Sequence, residues 1–226
     1  KKDEFSHSLT REKFALKSKA DIIVFITQDI IIEKENWLEK LVEPIIKGET
    51  EACFSRQICK NSSIEKYIRE KNYPDKSRVV SKKDIEKMGL NTFFFSDVSS
   101  AIKKEVFVEL NGYDNKKIPV SEDMYIAYKI IQKGYRIKYC SESEVIHSHN
   151  ITFIQQYNRY KLIGEFFKQN SYLNKYKTNR AGKGLAKYVL KRAIEEKNIK
   201  VLIECIPNMM ARFIGMQIGK LKKVKT

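Results

Sequence analysis

A run of five apolar residues, Ile22–Ile26, is followed three residues later by Asp29. Every residue in the run is β-branched or aromatic, which predicts a strand buried on both faces of an α/β sheet. Ligands of such sheets bind at the carboxyl ends of the strands. Asp29 is therefore expected at a position where a carboxylate could hold a divalent cation. The alternative is that Asp29 simply caps the following turn.

Strand and helix patterns alternate along the chain as far as about residue 150. The spacing of apolar residues predicts the helices and strands, and a serine or threonine before a helix predicts its N-cap. The alternation of strands and helices is typical of the α/β class. From Thr152 onward the pattern is helical. The main predicted segments are helices 9–19, 36–47 and 121–132, N-caps Thr10 and Ser121, and strands 22–26, 51–56, 135–139 and 144–149.

Positive charge is concentrated in the C-terminal part of the chain. The net charge is +16 overall, and residues 171–226 contain 14 Lys/Arg and 3 Asp/Glu. This asymmetry indicates an anionic partner surface. Basic amphipathic helices here favour an interfacial position on an anionic membrane, because Glu204, Pro207 and Arg212 interrupt the last apolar segment. The alternative is a solvated helical extension packed on the body of the protein.

A carboxylate pair, Glu122 and Asp123, follows Ser121 at the start of a predicted helix. Acidic residues in a first helical turn are stabilised by the helix dipole, which is the structural interpretation. The functional interpretation is a general base that accepts a proton from a substrate hydroxyl.

Two further groups are candidates for binding. His147 and His149 are two residues apart on a predicted strand, so both imidazoles face one side and could approach one cation. Alternatively, they are ordinary hydrogen-bonded histidines at a strand end. Gln156, Arg159 and Tyr160 share a helical face, where an arginine could bind a diphosphate and a tyrosine could stack on a sugar or base. The alternative is an ordinary amphipathic helix.

Together these motifs, in this order, resemble the inverting GT-A glycosyltransferases of family 2. The segment 5–11 (FSHSLTR) is similar to the family's F-x-H-G-x-T-R, with Ser8 in place of the usual glycine. The segment 25–29 (FITQD) looks like the T-Q-D form of the metal-binding motif in bacterial rhamnosyltransferases. Segments 55–57 (SRQ), 72–74 (NYP), 122–124 (EDM) and 147–150 (HSHN) also look like that subgroup.

The resemblance covers roughly residues 5–165 and implies an architecture. It implies a Rossmann-like GT-A fold of the α/β class, with a mixed sheet flanked by helices. The chain would be an N-terminally truncated member that lacks the first βαβ unit, which grips the nucleoside. Residues 1–165 would form the rest of the glycosyltransferase domain, and residues 166–226 a basic helical tail on the membrane surface.

The resemblance also implies an activity. The protein would move a sugar, expected to be rhamnose, from a dTDP-rhamnose-like nucleotide sugar to a lipid-linked or polysaccharide acceptor in bacterial surface polysaccharide synthesis. It would be cytoplasmic and peripheral on the inner face of the cell membrane. Two alternatives stay open: another donor sugar, or a non-enzymatic basic nucleic-acid-binding protein. The second explains the charge but neither the acids nor the histidines, and no nucleic-acid-binding motif is visible.

The resemblance assigns roles to individual residues. Asp123 would be the catalytic base, with Glu122 as the second candidate. Mg²⁺ or Mn²⁺ would be held by Asp29 and a histidine, His147 or His149. The donor would be bound by Arg11, Gln28, Asp29, Gln156 and Arg159, and the acceptor by Ser96, Asp97 and Tyr160.

Overall fold

The computed structural model describes residues 6–176 and 181–222, which form two compact units. The first unit comprises Lys1–Gln57 and Pro74–Ile146, and the second comprises Ile58–Tyr73 and His147–Thr226. These units do not divide the chain at residue 165. The predicted boundary at residue 165, between the glycosyltransferase domain and the tail, was drawn from the sequence alone, and it stays a prediction.

A five-stranded sheet organises the first unit, with strands in the order β1-β4-β2-β5-β3. The β1–β4, β4–β2 and β5–β3 pairs are antiparallel. The strands are β1 (Ile22–Ile26), β2 (Ala52–Ile58), β3 (Arg78–Val80), β4 (Ser99–Lys103) and β5 (Ile137–Ile146). Its α-helices are α1 (His7–Lys17), α2 (Trp37–Ile46), α4 (Ile85–Met88), α5 (Lys104–Glu109) and α6 (Glu122–Lys133).

Helix α2 shows how the sequence builds the core of this unit. Its apolar residues recur at helical spacing, so one side of the helix covers the sheet. Leu41 and Ile45 are buried there against Cys53, Ala101 and Cys140 of three strands. Helices flanking a sheet in this way confirm the predicted α/β class.

The structure corrects the expectation that β1 is buried on both faces. Ile23 and Phe25 are buried, but Ile22 and Val24 are half-buried and Ile26 is 52% exposed. The reason is that β1 is an edge strand of the described sheet, with β4 as its neighbour. A groove of about 380 Å³ runs between β1 and the side of α1 that carries Arg11 and Phe14.

Two local predictions were also wrong. Helix α1 begins earlier than predicted, with Ser6 rather than Thr10 as the N-cap. The two strands predicted within 135–149 are one continuous strand, β5. Ser143, in the predicted gap between them, is buried and bonds both the Ser55 hydroxyl and the Trp37 carbonyl, at 2.8 and 3.0 Å.

The second unit is helical. Its helices are α3 (Ile64–Asn72), α7 (Phe153–Gln169), α8 (Ala181–Glu195) and α9 (Ile199–Leu221). Its core joins α3, α8 and α9 through buried residues that include Tyr67, Val189 and Val201. Short 3₁₀ helices complete the chain at Lys82–Asp84 and Gly89–Phe93 in the first unit and Ser171–Lys175 in the second.

Candidate active site

The acidic pair lies in the first turn of α6, as predicted. Ser121 precedes it but does not cap the helix with its side chain, contrary to the expectation. Its φ of 64° and ψ of 25° are left-handed, whereas a capping serine needs an extended backbone to reach the N–H groups. Glu122 and Asp123 are therefore the first two residues of α6, without a serine side-chain cap before them, and they lie at the positive end of the helix dipole.

Arg11 of α1 links this pair to a third carboxylate. One of its terminal nitrogens donates to Glu122 and also lies 3.6 Å from the Asp97 carboxylate. The other donates to the Asp97 carbonyl oxygen at 3.2 Å. Burial by itself would lower the pKa of Arg11, but Asp97 and Glu122 outweigh it and raise that pKa. Arg11 is thus a fixed positive charge among carboxylates.

Asp97 is almost fully buried, and its carboxylate is held by hydroxyl groups. It accepts hydrogen bonds from the Tyr113 hydroxyl at 2.7 Å and the Ser100 hydroxyl at 2.8 Å. Burial, and then the Asp97 charge, raise the pKa of Tyr113 well above its usual value, so Tyr113 stays a donor. The neighbouring Ser96 is also buried and accepts a bond from the Gln57 amide at 2.7 Å.

Asp123 differs from Glu122 and Asp97, which both contact Arg11. Within the residues that the structure describes, no cationic side chain is bonded to the Asp123 carboxylate. Its Oδ1 accepts from the Met124 N–H at 2.7 Å. Desolvation, and then the charges of Glu122 and Asp97, raise the pKa of Asp123 well above the ordinary value. A carboxylate with a raised pKa is a stronger base, which suits proton abstraction near neutral pH.

The sequence reasoning missed the residues that shape the loop before α6. The buried carboxylate of Glu12 accepts bonds from the backbone N–H groups of Tyr113 and Asn115, at 2.5 and 3.1 Å. Ser8, noted as a departure from the family pattern, accepts from the Ile118 N–H at 2.9 Å and donates to the Lys116 carbonyl at 2.7 Å. These contacts span about 100 positions of sequence, so no local pattern could have found them.

Gln28 and Asp29 are exposed and lie in the turn just after β1. Two residues further on, Ile31 pairs with Ile146 at the end of β5, through hydrogen bonds of 2.9 Å in both directions. His147 follows Ile146 directly in the sequence. The segment that carries Asp29 therefore runs beside the end of β5.

The two histidines of the second unit face each other as predicted, but both follow β5, which ends at Ile146, rather than lying on a strand. The Nε2 atoms of His147 and His149 are hydrogen-bonded to each other at 2.5 Å, with the rings nearly perpendicular. Residues 58–61 hold this segment, because the His147 N–H donates to the Ile58 carbonyl and the Asn61 amide to the His149 carbonyl. Two imidazole nitrogens directed at one point are suitable ligands for a metal ion.

The start of α7 carries the remaining predicted residues. Thr152 and Gln155 form a capping box, which fixes the first turn. Arg159 is exposed, whereas Gln156 is 2% exposed and Tyr160 is partly buried. The predicted roles of Gln156 and Arg159 in donor binding and of Tyr160 in acceptor binding stay predictions.

Gln156 and Tyr160 both bond Arg212 of α9, which the sequence reasoning treated as part of a polar interruption. The guanidinium donates to the Tyr160 hydroxyl at 2.9 Å and to the Asn208 side-chain oxygen at 2.7 Å. With the Gln156 amide turned so that its oxygen faces Arg212, that oxygen accepts from the guanidinium as well. The guanidinium also forms an ion pair with Glu65 of α3 at 2.7 Å. This buried cluster ties three helices of the second unit together.

Comparison with known proteins identifies the family of this chain. Residues 5–110 match the family model described as glycosyl transferase family 2. The chain is 33% identical over 221 residues to the O-antigen chain rhamnosyltransferase WbaN of Salmonella anatum, covering 96% of this chain and 70% of the relative. The rhamnosyltransferase RfbN of Salmonella typhimurium shows the same identity and coverage.

The chain belongs to glycosyl transferase family 2. The family membership and the GT-A type of α/β fold predicted from the sequence are thereby confirmed. The protein is a glycosyltransferase, and the matched residues 5–110 include Arg11, Asp29 and Asp97. The acidic pair and the histidines lie beyond that range but within the region aligned with the relatives, which covers 96% of the chain.

Proposed function

We propose that this glycosyltransferase moves rhamnose from a dTDP-rhamnose-like donor to a lipid-linked or polysaccharide acceptor in bacterial surface polysaccharide synthesis. The similarity to two O-antigen chain rhamnosyltransferases over nearly the whole chain supports this donor and this pathway. The observation that carries the mechanism is the acidic cluster, in which Asp123 has a raised pKa beside Arg11 and Glu122.

Asp123 is the general base in this mechanism. Its carboxylate accepts the proton of the acceptor hydroxyl, and that oxygen forms a bond to the anomeric carbon. The bond between this carbon and the diphosphate oxygen breaks on the opposite side, and its electron pair leaves with the diphosphate. Configuration is therefore inverted. Glu122 is the weaker candidate because its carboxylate is already neutralised by Arg11.

Arg159 stabilises the leaving diphosphate, since it is exposed and its planar guanidinium can bind two phosphate oxygens. Gln28, exposed after β1, belongs to the same donor set. Gln156 is buried against Arg212, so its contribution is to fix the helical turn that presents Arg159. Arg11 offsets part of the negative charge of the acidic cluster. It is also assigned to donor binding, on the side of the donor phosphates.

The donor set also fits a divalent cation. The resemblance assigns this cation to Asp29 and to His147 or His149, through a carboxylate oxygen and an imidazole nitrogen. The Nε2 atoms of His147 and His149 face each other, and either nitrogen could serve as a ligand to such an ion. When bound, Mg²⁺ or Mn²⁺ would offset the negative charge of the nucleotide diphosphate.

The acceptor side of the proposal involves Ser96, Asp97 and Tyr160. Ser96 and Asp97 are buried, so they would act indirectly rather than by direct contact with the sugar. Asp97 holds Arg11 and Tyr113, and Ser96 accepts a hydrogen bond from the Gln57 amide. The partly buried hydroxyl of Tyr160 is shared with Arg212. In this proposal the enzyme is cytoplasmic and peripheral on the inner face of the cell membrane, where it would meet a lipid-linked acceptor.

The test is donor turnover and sugar transfer by the purified chain. Radiolabelled dTDP-rhamnose and UDP-glucose are compared, with lipid-linked glycan from a rhamnose-containing bacterium as acceptor. We expect transfer from dTDP-rhamnose, its loss with EDTA and its recovery with Mg²⁺ or Mn²⁺. Asp123→Asn should reduce transfer by about 10²–10⁴-fold while calorimetry shows unchanged donor binding.

The matched control is Glu109→Gln, which removes a carboxylate that pairs with Lys133 at the surface. It should retain full activity. Normal turnover by Asp123→Asn would remove this residue from the role of base. Transfer from UDP-glucose but not from dTDP-rhamnose would replace the proposed donor, and activity that persists in EDTA would exclude the metal.

A further inference from the structure

Helix α9 has two opposite faces of different character. One face is buried within the second unit and carries Val201, Cys205, Asn208, Arg212, Gly215 and Gly219. The other carries large apolar side chains that are exposed: Ile199 (70%), Ile203 (71%), Ile206 (65%), Met210 (54%), Phe213 (66%) and Leu221 (75%). Their separations of three, four and eight residues keep them on one side of the helix.

This exposed face is too regular and too long to be scattered surface residues. The helix has 23 residues and is therefore about 35 Å long. Contiguous apolar surface of this kind marks a site of interaction with a protein or a membrane. By length and composition, α9 is also the one helix in the described part of the chain that could cross a membrane, with a mean hydropathy of 1.2.

The buried face shows that α9 does not leave the protein to span a bilayer. Its glycines let its backbone touch that of α7: a methyl group on Gly215 would overlap the Tyr157 carbonyl, and one on Gly219 the Lys161 carbonyl. Arg212 on the same face is paired with Glu65. A spanning helix would lose this packing and carry a charged arginine into hydrocarbon, which is costly.

The structure also identifies α9 rather than α8 as the free amphipathic element. The sequence predicted basic amphipathic helices in residues 171–226, including the segment of α8, and favoured an interfacial position for the last apolar segment, which forms α9. However, Val189 and Ala193 of α8 are fully buried in the core formed with α3 and α9. The apolar face of α8 is therefore largely used for folding, whereas the outer face of α9 is exposed.

Charge identifies the occupant of this face. Residues 171–226 carry 14 Lys/Arg and 3 Asp/Glu, and the side chains of Lys191 and Lys200 are 73% and 74% exposed. A second copy of the chain would bring two strongly positive tails together, which is unfavourable. An anionic lipid surface satisfies both the apolar face and the charge.

We propose that α9 lies flat on an anionic membrane, with Ile199, Ile203, Ile206, Met210, Phe213 and Leu221 inserted at the level of the headgroups. Its opposite face stays packed on α7, so that docking does not require unfolding. This inference deepens the proposed function, on which it rests for the lipid-linked acceptor.

Flotation of the intact chain with vesicles tests the proposal. Vesicles of phosphatidylcholine alone are compared with vesicles that contain about 30% phosphatidylglycerol. We expect binding to the anionic vesicles at low salt, with release at high salt or in alkaline carbonate. Ile203→Asp and Phe213→Asp should each reduce the bound fraction about tenfold.

The matched control is Ile46→Asp in α2, since Ile46 and Ile203 are both 71% exposed. It should float like the unmodified chain, and circular dichroism should show that all variants are folded. Equal flotation of Ile203→Asp and Ile46→Asp would overturn the proposal, as would resistance to carbonate extraction, which indicates a spanning helix.

Light scattering tests the other candidate for binding to this face, a second copy of the chain. If Ile203→Asp converts a dimer into a monomer without changing flotation, the face binds a second copy and the proposal is wrong. Flotation requires neither donor nor acceptor, so its failure is distinguishable from failure of the proposed sugar transfer.

Discussion

Each unit contains a largely buried arginine–glutamate pair, and the two pairs differ in what surrounds them. In the first unit, Arg11 and Glu122 are each 12% exposed, and in the second, Arg212 and Glu65 are 10% and 11% exposed. Asp97 and Asp123 crowd the first pair with further negative charge. Around Arg212 the further partners are neutral amides and a hydroxyl.

This difference assigns a catalytic role to the site around Arg11 and a structural role to the site around Arg212. Burial, and then the charges of the neighbouring carboxylates Glu122 and Asp97, leave Asp123 with a raised pKa, which costs stability but produces a base. The Arg212 guanidinium is bonded to neutral groups and one carboxylate, so this cluster contains no reactive group and instead holds helices together. Burial and pairing alone would not distinguish the two sites, whereas the local charge balance does.

The largest expected effect is the loss of the balanced pair. Arg212→Met should lower the free energy of unfolding by about 3–5 kcal/mol, because it leaves the buried Glu65 carboxylate without its cation. Urea denaturation measures this change. Arg192→Met is the control, since Arg192 pairs with glutamates at the surface and its loss should lower the free energy of unfolding far less.

A double variant sharpens this result. Glu65→Leu in the Arg212→Met background should recover much of the lost stability, because neither charge is then buried alone. Equal losses in Arg212→Met and Arg192→Met would show that the cluster does not fix α9 and would remove the contrast between the two units.

The next effect is the pH dependence of the unbalanced cluster. Asp123 must be deprotonated to act as the base, so transfer should rise about tenfold per pH unit below its raised pKa and then level off. The pH profile of kcat/KM measures this. An Arg11→Met variant should level off at a higher pH, because removing the cation raises the pKa of Asp123 further.

A profile that is flat across this range in the unmodified protein, or an Arg11→Met profile that is not displaced, would contradict the assigned electrostatics. Transfer that falls rather than rises with pH would indicate that the titrating group acts as an acid.

The smallest effect is a gain in stability. The folded-state pKa of Asp123 is above its unfolded value, so the folded protein binds the proton more tightly, and stability falls as pH rises between the two values. Asp123→Asn removes this loss. It should stabilise the protein at pH 7 by about 0.5–2 kcal/mol, a common gain when a strained functional group is replaced.

Thermal melts at two pH values measure this gain. It should vanish near pH 4, where Asp123 is protonated in the folded protein. The same substitution at Asp114, whose pKa is lowered despite partial burial because it bonds Lys129 and Tyr125, should instead destabilise the protein at pH 7. Equal signs for the two variants would break the comparison.

The sequence by itself determined the family, the α/β class and the first-turn position of Glu122 and Asp123. These rest on local patterns, namely the apolar run before Asp29, the helix period and the order of the motifs. The convergence of His147 and His149 followed from the two-residue period of an extended chain. Such properties depend on neighbours in sequence, so they can be read without a structure.

Only the tertiary structure decided which faces are covered and which charges meet. The same apolar pattern that predicted a fully buried β1 is compatible with an edge strand, because burial depends on the neighbouring elements. Arg212 meets Glu65 across 147 positions and Glu12 meets the loop before α6 across about 100. Helical periodicity likewise marks the apolar residues of α9, but packing against α7 decides which of them remain exposed.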